Sequence, residues 1–306
     1  MLAALLQMAL LITCGVVWKH VAPQHISVLA HRRAITDLVF YILLPALVLN
    51  VIWTTPLNSS SLQISFLAFC GITIGLLLMW LALQFFNVSK KQTGALLLAA
   101  AFPNATYLGL PVLDRVIGEH SLAIVLQYDF FACTPILLSF GILLAHHYGD
   151  HKTKVNPLRE LMKVPPLWAV AIGVTLNLTG VEQPEFLHAN LSILASAVVP
   201  LMMIVLGMSI QWNSLRLRFL PLLSIVVAIT LIIVPLSVFG LSHVLDLADQ
   251  LIIPVTLIAA MPTMIFGIVI CERYQLDSEL YAAAITLTTI ASLVTLTTAF
   301  YLLSPS

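Results

Sequence analysis

Apolar runs long enough to cross a lipid bilayer recur along the whole chain of 306 residues. A helix needs about 20 apolar residues to cross roughly 30 Å of hydrocarbon, and ten runs in the sequence approach this length. Charged residues make up only 8% of the chain, against about 25% in soluble domains, so they are too few to cover a water-facing surface. We therefore expect an all-α membrane protein and exclude soluble enzymes, disordered chains and nucleic-acid binders.

Polar residues bound each of the ten predicted spans. The first run has neither a basic leader nor a cleavage site, so we expect it to remain as a helix. In order, the spans cover residues 2–18, 35–53, 62–86, 93–113, 121–147, 165–181, 187–210, 219–244, 250–271 and 279–303. A basic connection, residues 148–164, separates a first half of five spans, residues 1–147, from a second half, residues 165–306.

Basic residues are concentrated in every second connection. If the N-terminus lies outside the cell, twelve of the 13 Lys and Arg residues fall in inner connections and only Arg115 falls outside. Because Lys and Arg are retained on the cytoplasmic side, we expect a multi-pass protein of the cell (inner) membrane with both termini on the extracytoplasmic side. The twelve inner residues are Lys19, Arg32, Arg33, Lys90, Lys91, Lys152, Lys154, Arg159, Lys163, Arg216, Arg218 and Arg273.

The two halves share a pattern of prolines and glycines. Residues 100–109 in span 4 and 259–267 in span 9 both read Ala-Ala, a large apolar residue, Pro and a small polar residue, with an aromatic residue four positions after the proline and then a glycine. Pro45 in span 2 and Pro200 in span 7 precede these prolines by 58 and 62 residues. Since each half has an odd number of spans, the second half enters the membrane from the opposite face, which predicts an inverted repeat.

The prolines of spans 4 and 9 predict breaks inside the membrane. Proline lacks an amide donor and displaces the carbonyl four residues earlier, here the carbonyls of Ala99 and Ile258. Such a break is tolerated only where it is buried in protein or lines a watery cavity. Two related breaks can face each other and direct bare amides of half-helix N-termini at one point, which suits an anion. The alternative is that these prolines only kink packed helices.

These motifs resemble the auxin efflux carrier family of membrane transport proteins. The similarity rests on Phe-Pro-Asn-Ala-Thr-Tyr-Leu-Gly-Leu-Pro at 102–111, Leu-Pro-Ala-Leu at 44–47, Ala-Met-Pro at 260–262 and Asp-Ser-Glu-Leu at 277–280. The resemblance implies ten helices in two inverted five-helix repeats, crossed at broken helices four and nine, in a fold like those of sodium/proton antiporters and bile acid transporters. It also implies a scaffold of spans 1, 2, 6 and 7, against which a transport domain of spans 3–5 and 8–10 moves.

The resemblance also implies a substrate class and a site. Bacterial relatives are permeases for small carboxylates and the plant ones export auxin, which is also a carboxylate. By position, Pro103 and Asn104 match the first crossover of the family and Pro262 matches the second. The full set of predicted substrate-binding residues is Pro103, Asn104, Thr106, Tyr107, Gly109, Pro262, Thr263, Asn50 and Tyr128.

Asp129 is the predicted ion-coupling residue. It lies eight residues inside span 5, about 12 Å below the outer end at a rise of ~1.5 Å per residue. A carboxyl group near mid-bilayer faces the protein interior and indicates a function by default. It could couple transport to a proton or to sodium, it could position the substrate, or it could be a structural hydrogen-bonded aspartate.

Three further groups of polar or small residues have structural readings. Asn50 could face the cavity or form helix–helix hydrogen bonds, and the two readings carry equal weight. Asp37 lies four residues after Arg33, a spacing that favours an ion pair on one helix face. Gly71 and Gly75 are typical of close helix packing in membranes.

The leading hypothesis is a secondary transporter, or permease, that moves a small organic carboxylate anion by alternating access. The alternative is a sodium- or proton-coupled symporter or antiporter of the bile acid transporter type, with Asp129 as the coupling site. No Walker, HExxH or Gly-x-Ser-x-Gly motif is present, so we expect no enzyme activity, no cofactor and no metal centre. The substrate, the direction of transport and association into a homodimer remain open at this point.

Overall fold

The computed structural model describes residues 2–23, 27–150, 156–209 and 217–303. These residues are helical except for their connections and for two short extended stretches that pair with each other. The helices are α1 Leu2–Val21, α2 Val28–Thr54, α3 Ser59–Leu83, α4a Lys90–Ala101, α4b Leu110–Val116, α5 Ser121–Tyr148, α6 Pro165–Leu178, α7 Glu185–Ser209, α8 Leu220–Val244, α9a Asp249–Ala259, α9b Gly267–Arg273 and α10 Ser278–Leu303. A short helix, Pro157–Leu161, lies in the connection between α5 and α6.

Among these helices, six are long and apolar enough to cross a bilayer, namely α2, α3, α5, α7, α8 and α10. Helix α6 is shorter, with 14 residues, and the fourth and ninth predicted spans are each divided into two helices. The expectation of an all-α, multi-pass membrane protein is confirmed at this level.

Several helices begin earlier than hydrophobicity predicts. Helix α2 begins at Val28 and not at residue 35, because the Ser27 side chain accepts a hydrogen bond from the Ala30 amide at 3.2 Å. The capping residue, and not the first apolar residue, sets where a helix starts. Arg32 and Arg33 therefore lie on α2 and not in a connection. Three other predicted inner residues lie outside the described ranges, namely Lys152, Lys154 and Arg216.

Four prolines each lie two residues after the end of a wide, π-helical turn. A proline ring displaces the carbonyl of the residue four positions earlier, and in each case that residue lies within the preceding turn. A π-helical turn has room for this displaced carbonyl, so the helix continues with a local widening and does not end. The turns and their prolines are Val39–Leu43 with Pro45, Ala105–Gly109 with Pro111, Asp129–Cys133 with Pro135 and Ile229–Ile233 with Pro235.

Glycines allow the closest helix contacts. A methyl group on Gly207 of α7 would lie 2.0 Å from the Ile12 carbonyl oxygen of α1, so only glycine permits this approach. Likewise, a methyl group on Gly75 of α3 would lie 2.6 Å from the Ala100 carbonyl oxygen of α4a. The predicted packing role of the Gly71–Gly75 motif is therefore confirmed.

The contacts between helices repeat when the two halves of the chain are exchanged. Helix α1 packs on α7 and α6 packs on α2, while α3 packs on α4a and α8 packs on α9a. Each pair becomes its counterpart when the first and second sets of five helices are exchanged. The two divided helices, α4 and α9, also meet each other, and their meeting point holds the candidate site.

Candidate functional site

The breaks in α4 and α9 pair with each other as two short extended stretches, residues 102–104 and 262–264. The Asn104 amide donates to the Pro262 carbonyl at 2.7 Å, and the Met264 amide donates to the Phe102 carbonyl at 2.9 Å. Backbone groups exposed inside a membrane are costly unless they find partners in the protein. Each break therefore satisfies part of the other.

Side-chain hydroxyls complete this pairing. Thr263 donates through Oγ1 to the Ala99 carbonyl at 2.9 Å, which is the carbonyl that Pro103 deprives of its helical partner. The Thr263 amide donates to Thr288 Oγ1 of α10 at 3.2 Å. From the same helix, Tyr281 donates through its hydroxyl to the Met264 carbonyl at 2.8 Å.

This pairing corrects the expectation of bare amides at the breaks. The amides of Asn104, Thr263 and Met264 are all hydrogen-bonded within the protein, because the opposite break supplies acceptors that no local sequence pattern reveals. Three predicted binding residues therefore support the site structurally and do not line the adjacent cavity, namely Pro103, Pro262 and Thr263. What remains for a ligand is the side chains that face the adjacent cavity.

A small cavity of about 40 Å³ lies beside the paired breaks. Its polar lining comes from Asn104, Thr106, Tyr107, Asp129 and Thr134. Among the described residues, no Lys, Arg or His lines it. The apolar lining comes from Phe40, Leu44, Phe130, Leu137, Leu138, Val164, Met264 and Phe266.

Asn104 is the least satisfied polar side chain of the cavity. It is 1% exposed, and neither Nδ2 nor Oδ1 finds a hydrogen-bond partner in the part of the chain that the structure describes. Leaving a buried polar group unsatisfied costs about 1–3 kcal/mol. The side-chain amide group of Asn104 is therefore available to donate a hydrogen bond to, and accept one from, a molecule in the cavity.

Asp129 faces the same cavity from the π-helical turn of α5. It is 2% exposed. Its Oδ1 accepts a hydrogen bond from Thr134 Oγ1 at 2.8 Å, and its Oδ2 accepts one from Thr106 Oγ1. The carboxyl group thus joins the π-helical turn that precedes α4b to α5, beside Asn104. Sequence reasoning missed Thr134, because a spacing of five residues meets across a π-helical turn and not in a regular α-helix.

Three further predicted binding residues, Asn50, Tyr128 and Gly109, do not line the cavity either. Asn50 of α2 donates to Ser192 Oγ at 3.2 Å and accepts from Gln183 Nε2 at 3.0 Å, so it joins α2 to α7 and its preceding loop. Tyr128 is fully buried, with its hydroxyl beside Gly71 of α3. Gly109 faces the Met261 side chain.

The predicted ion pair between Arg33 and Asp37 is wrong. Arg33 instead pairs with Glu272 of α9b, with 3.5 Å between Nη2 and Oε2, and Asp37 is exposed. An exposed pair on one helix contributes only about 0.3–0.5 kcal/mol, so a carboxylate on a neighbouring helix readily replaces it.

A wider opening of about 450 Å³, called the vestibule here, continues from the cavity to the charged ends of α2 and α9b. Phe40 and Phe266 stand where the two spaces meet, and their rings stack with 6.0 Å between centroids and 13° between planes. Tyr107, Leu138 and Val164 also line both spaces. The charged lining of the vestibule consists of Arg32, Arg33, Lys163, Arg273, Asp37, Glu160 and Glu272.

Comparison with known proteins gives matches to transporters. The family described as membrane transport protein matches residues 4–301. An uncharacterized transporter of Methanothermobacter thermautotrophicus is 32% identical over 210 residues, or 69% of this chain and 68% of that protein. The uncharacterized transporter MJ1031 of Methanocaldococcus jannaschii is 29% identical over 278 residues, or 86% of this chain and 87% of that protein. The uncharacterized transporter YfdV of Escherichia coli K12 is 21% identical over 217 residues, or 69% and 68%.

The family match covers almost the entire described chain, and it includes both breaks and the cavity between them. It confirms the resemblance carried by the Pro-Asn motif at 103–104. The chain therefore belongs to the membrane transport protein family, that of the auxin efflux carriers, and is a membrane transporter rather than an enzyme.

Proposed function

We propose that this transporter is a secondary carrier that moves a small organic carboxylate anion together with a proton carried by Asp129. The observation that carries the proposal is one cavity that is lined both by the unpartnered side-chain amide of Asn104 and by the carboxyl group of Asp129. Membership in a transporter family supports transport itself, and the chemistry of the cavity supports the substrate class and the coupling.

The cavity lining suits a molecule with one polar end and a compact apolar body. Asn104 Nδ2 can donate to a carboxylate oxygen, and Tyr107, which also lines the cavity, carries a second donor in its hydroxyl group. Leu137, Leu138 and Met264 line the remaining space. Pockets for small molecules typically combine a few polar groups with such an apolar wall.

The charge of Asp129 determines how an anion can enter. No cation from the described residues lines the cavity, so a carboxylate substrate beside an ionised Asp129 would meet a second negative charge. Two carboxylates that share one site do not both stay ionised. A proton on Asp129 removes this repulsion, and it turns the carboxyl group into a donor for the substrate. Binding of the anion and binding of the proton therefore favour each other.

A sodium ion is the alternative coupling ion. The cavity lining contains oxygen atoms that could coordinate sodium. They belong to the Asp129 carboxyl group, the hydroxyls of Thr106 and Thr134, and the side-chain carbonyl of Asn104. In the structure, however, both threonine hydroxyls donate to Asp129, and this arrangement satisfies the carboxylate without a cation. Proton coupling is therefore the proposal, and carboxylate accumulation in an imposed sodium gradient tests the alternative.

For the transport cycle, we propose that the helices of the inverted repeat form two domains that move against each other. Helices α1, α2, α6 and α7 would form the scaffold, and α3–α5 with α8–α10 would form the transport domain. Two observations support this division: Phe40 and Leu44 of α2 line one side of the cavity, and the paired breaks line the other. Rocking of one domain against the other would close the vestibule and open the opposite side. The basic connections support a cytoplasmic position for the vestibule.

Uptake into proteoliposomes tests the substrate class. The purified chain is reconstituted, and initial uptake of radiolabelled malate, malonate, lactate and benzoate is measured against protein-free vesicles. We expect saturable uptake of at least one carboxylate, and Asn104→Ala should lower that uptake at least about tenfold, since a hydrogen bond to a charged group contributes about 1.5–3 kcal/mol.

Asn190→Ala is the matched control for this assay. Asn190 is exposed on α7, and its side chain donates to the Phe186 carbonyl of its own helix at 2.7 Å. Its uptake should equal that of the unmodified chain. No uptake of any carboxylate would refute the substrate class, and normal uptake by Asn104→Ala would remove Asn104 from the site.

A further inference from the structure

Among the described residues, the vestibule holds one arginine without a carboxylate partner. Three of its four cations are paired: Arg33 with Glu272 at 3.5 Å, and Lys163 and Arg273 with Glu160, each at 2.9 Å. Within the described ranges, no carboxylate oxygen lies within 4.0 Å of the Arg32 guanidinium. Arg32 is nevertheless half-buried in the vestibule wall.

Positive charge exceeds negative charge around Arg32. Among the described residues, Arg33 acts electrostatically on Arg32, as does Glu272, and Glu272 already pairs with Arg33. The surplus favours a bound anion, because a partly desolvated cation cluster is stabilised by a negative charge that reduces its mutual repulsion.

Arg32 also begins a path into the transport cavity. Arg32, Thr36 and Phe40 line the vestibule, and Phe40 and Leu44 line the cavity. These positions are four residues apart and share one face of α2. At ~1.5 Å per residue, Arg32 lies about 12 Å along the helix from Phe40. An anion at Arg32 is therefore two helical turns from the aromatic pair where the cavity begins.

We propose that Arg32 is a carboxylate-binding subsite in the vestibule, where the substrate anion binds before it passes Phe40 and Phe266. The guanidinium presents two parallel N–H donors that match the two oxygens of a carboxylate. The substrate role of this subsite rests on the proposed function, whereas the binding of a carboxylate at Arg32 can be measured without transport.

Thiol labelling at Thr36 tests the subsite. Thr36→Cys places a thiol one helical turn from Arg32, and the full-length chain is held in phosphatidylcholine nanodiscs. The labelling rate is measured with an anionic methanethiosulfonate that carries a sulfonate and with a cationic one that carries an amine, with the chain lacking Thr36→Cys as background. Arg32→Gln should lower the ratio of anionic to cationic rates about fivefold, as expected for a nearby unit charge in a partly solvated site.

Protection by carboxylates identifies the ligand. Succinate and benzoate should slow labelling of Thr36→Cys when Arg32 is present and should have no effect with Arg32→Gln. Arg32→Lys should keep the rate ratio but weaken the protection, because an ammonium lacks the paired donors. Arg218→Gln is the matched control: Arg218 is exposed, stacks on Phe219 with its guanidinium carbon 4.6 Å from the ring centroid, and does not line the vestibule.

Two results would overturn the subsite. One is a rate ratio, or a protection, that Arg32→Gln leaves unchanged. The other is labelling that ignores both carboxylates but is blocked when phosphatidylglycerol is added to the nanodiscs, since the ligand would then be an anionic lipid headgroup. Arg32-dependent protection in a chain that takes up no carboxylate would support the subsite and refute the proposed function alone.

Discussion

Replacing Thr263 by Val tests whether the two breaks support each other energetically. Thr263 is fully buried, and its hydroxyl donates to the Ala99 carbonyl at 2.9 Å. Valine has nearly the same shape, so packing changes little while the hydroxyl donor is lost. Pro103 stands four residues after Ala99 and has no amide hydrogen to offer. The Ala99 carbonyl would therefore lose its partner inside the membrane.

The expected cost follows from that single lost partner. An unsatisfied buried acceptor costs about 1–3 kcal/mol, which corresponds to roughly a tenfold to hundredfold change in the unfolding equilibrium at about 1.4 kcal/mol per factor of ten. The free energy of unfolding is measured by equilibrium unfolding in mixed micelles, with increasing sodium dodecyl sulfate as the denaturant.

Thr297→Val is the control for this measurement. Thr297 of α10 donates through its hydroxyl to the Leu293 carbonyl of its own helix at 2.6 Å. That carbonyl lies within a continuous helix, so it also has a backbone amide as a partner. We expect a change of less than about 0.5 kcal/mol, as for most surface substitutions. If Thr263→Val were no more destabilising than Thr297→Val, the argument that the breaks satisfy each other through this hydroxyl would be refuted.

Two further predictions concern α9 and the connection before α6. Pro262→Ala restores an amide that can bond to the Ile258 carbonyl and lengthen α9a, so initial uptake should fall about tenfold, the effect of roughly 1.4 kcal/mol; an unchanged rate would mean that the break does not limit turnover. Hydrogen bonds from the Arg273 guanidinium hold the pKa of the Glu160 carboxyl below its ordinary value of 4.5. Its ion pairs therefore stabilise the fold fully above that value and are lost as the pH falls through the lower folded-state pKa. Glu160→Gln should cost about 0.5–1 kcal/mol of unfolding free energy at neutral pH and nothing in strong acid, and a pH-independent difference would contradict this assignment.

Features set by neighbouring residues could be predicted from the sequence. Prolines at 103 and 262 predict interruptions of two helices, and α4a and α9a end two and three residues before them, respectively. The placement of Asp129 within an apolar run predicts a carboxyl group buried in the protein, and it is 2% exposed. The start of α2 could also have been read from Ser27, whose side chain caps the helix seven residues before the apolar run begins.

Contacts between distant residues could not be predicted. Thr263 and Ala99 are 164 residues apart, and nothing near either residue indicates that they bond to each other. Tyr281 has the same standing, because its role depends on how α10 lies against the second break. Asn50 shows the converse, since its local sequence leaves both readings open and only the position of Ser192 and Gln183 selects helix–helix bonding.

Proton-driven accumulation tests the central claim most directly. Proteoliposomes are prepared with an inward proton gradient of one pH unit, no membrane potential and equal sodium on both sides, and the steady-state level of the transported carboxylate is compared with that in protein-free vesicles. One proton per anion predicts about tenfold accumulation, since one pH unit is worth ~1.36 kcal/mol. Asp129→Asn should still exchange the carboxylate but should not accumulate it. Accumulation driven by an inward sodium gradient in parallel vesicles at equal pH, or accumulation that persists unchanged in Asp129→Asn, would contradict proton coupling at this residue.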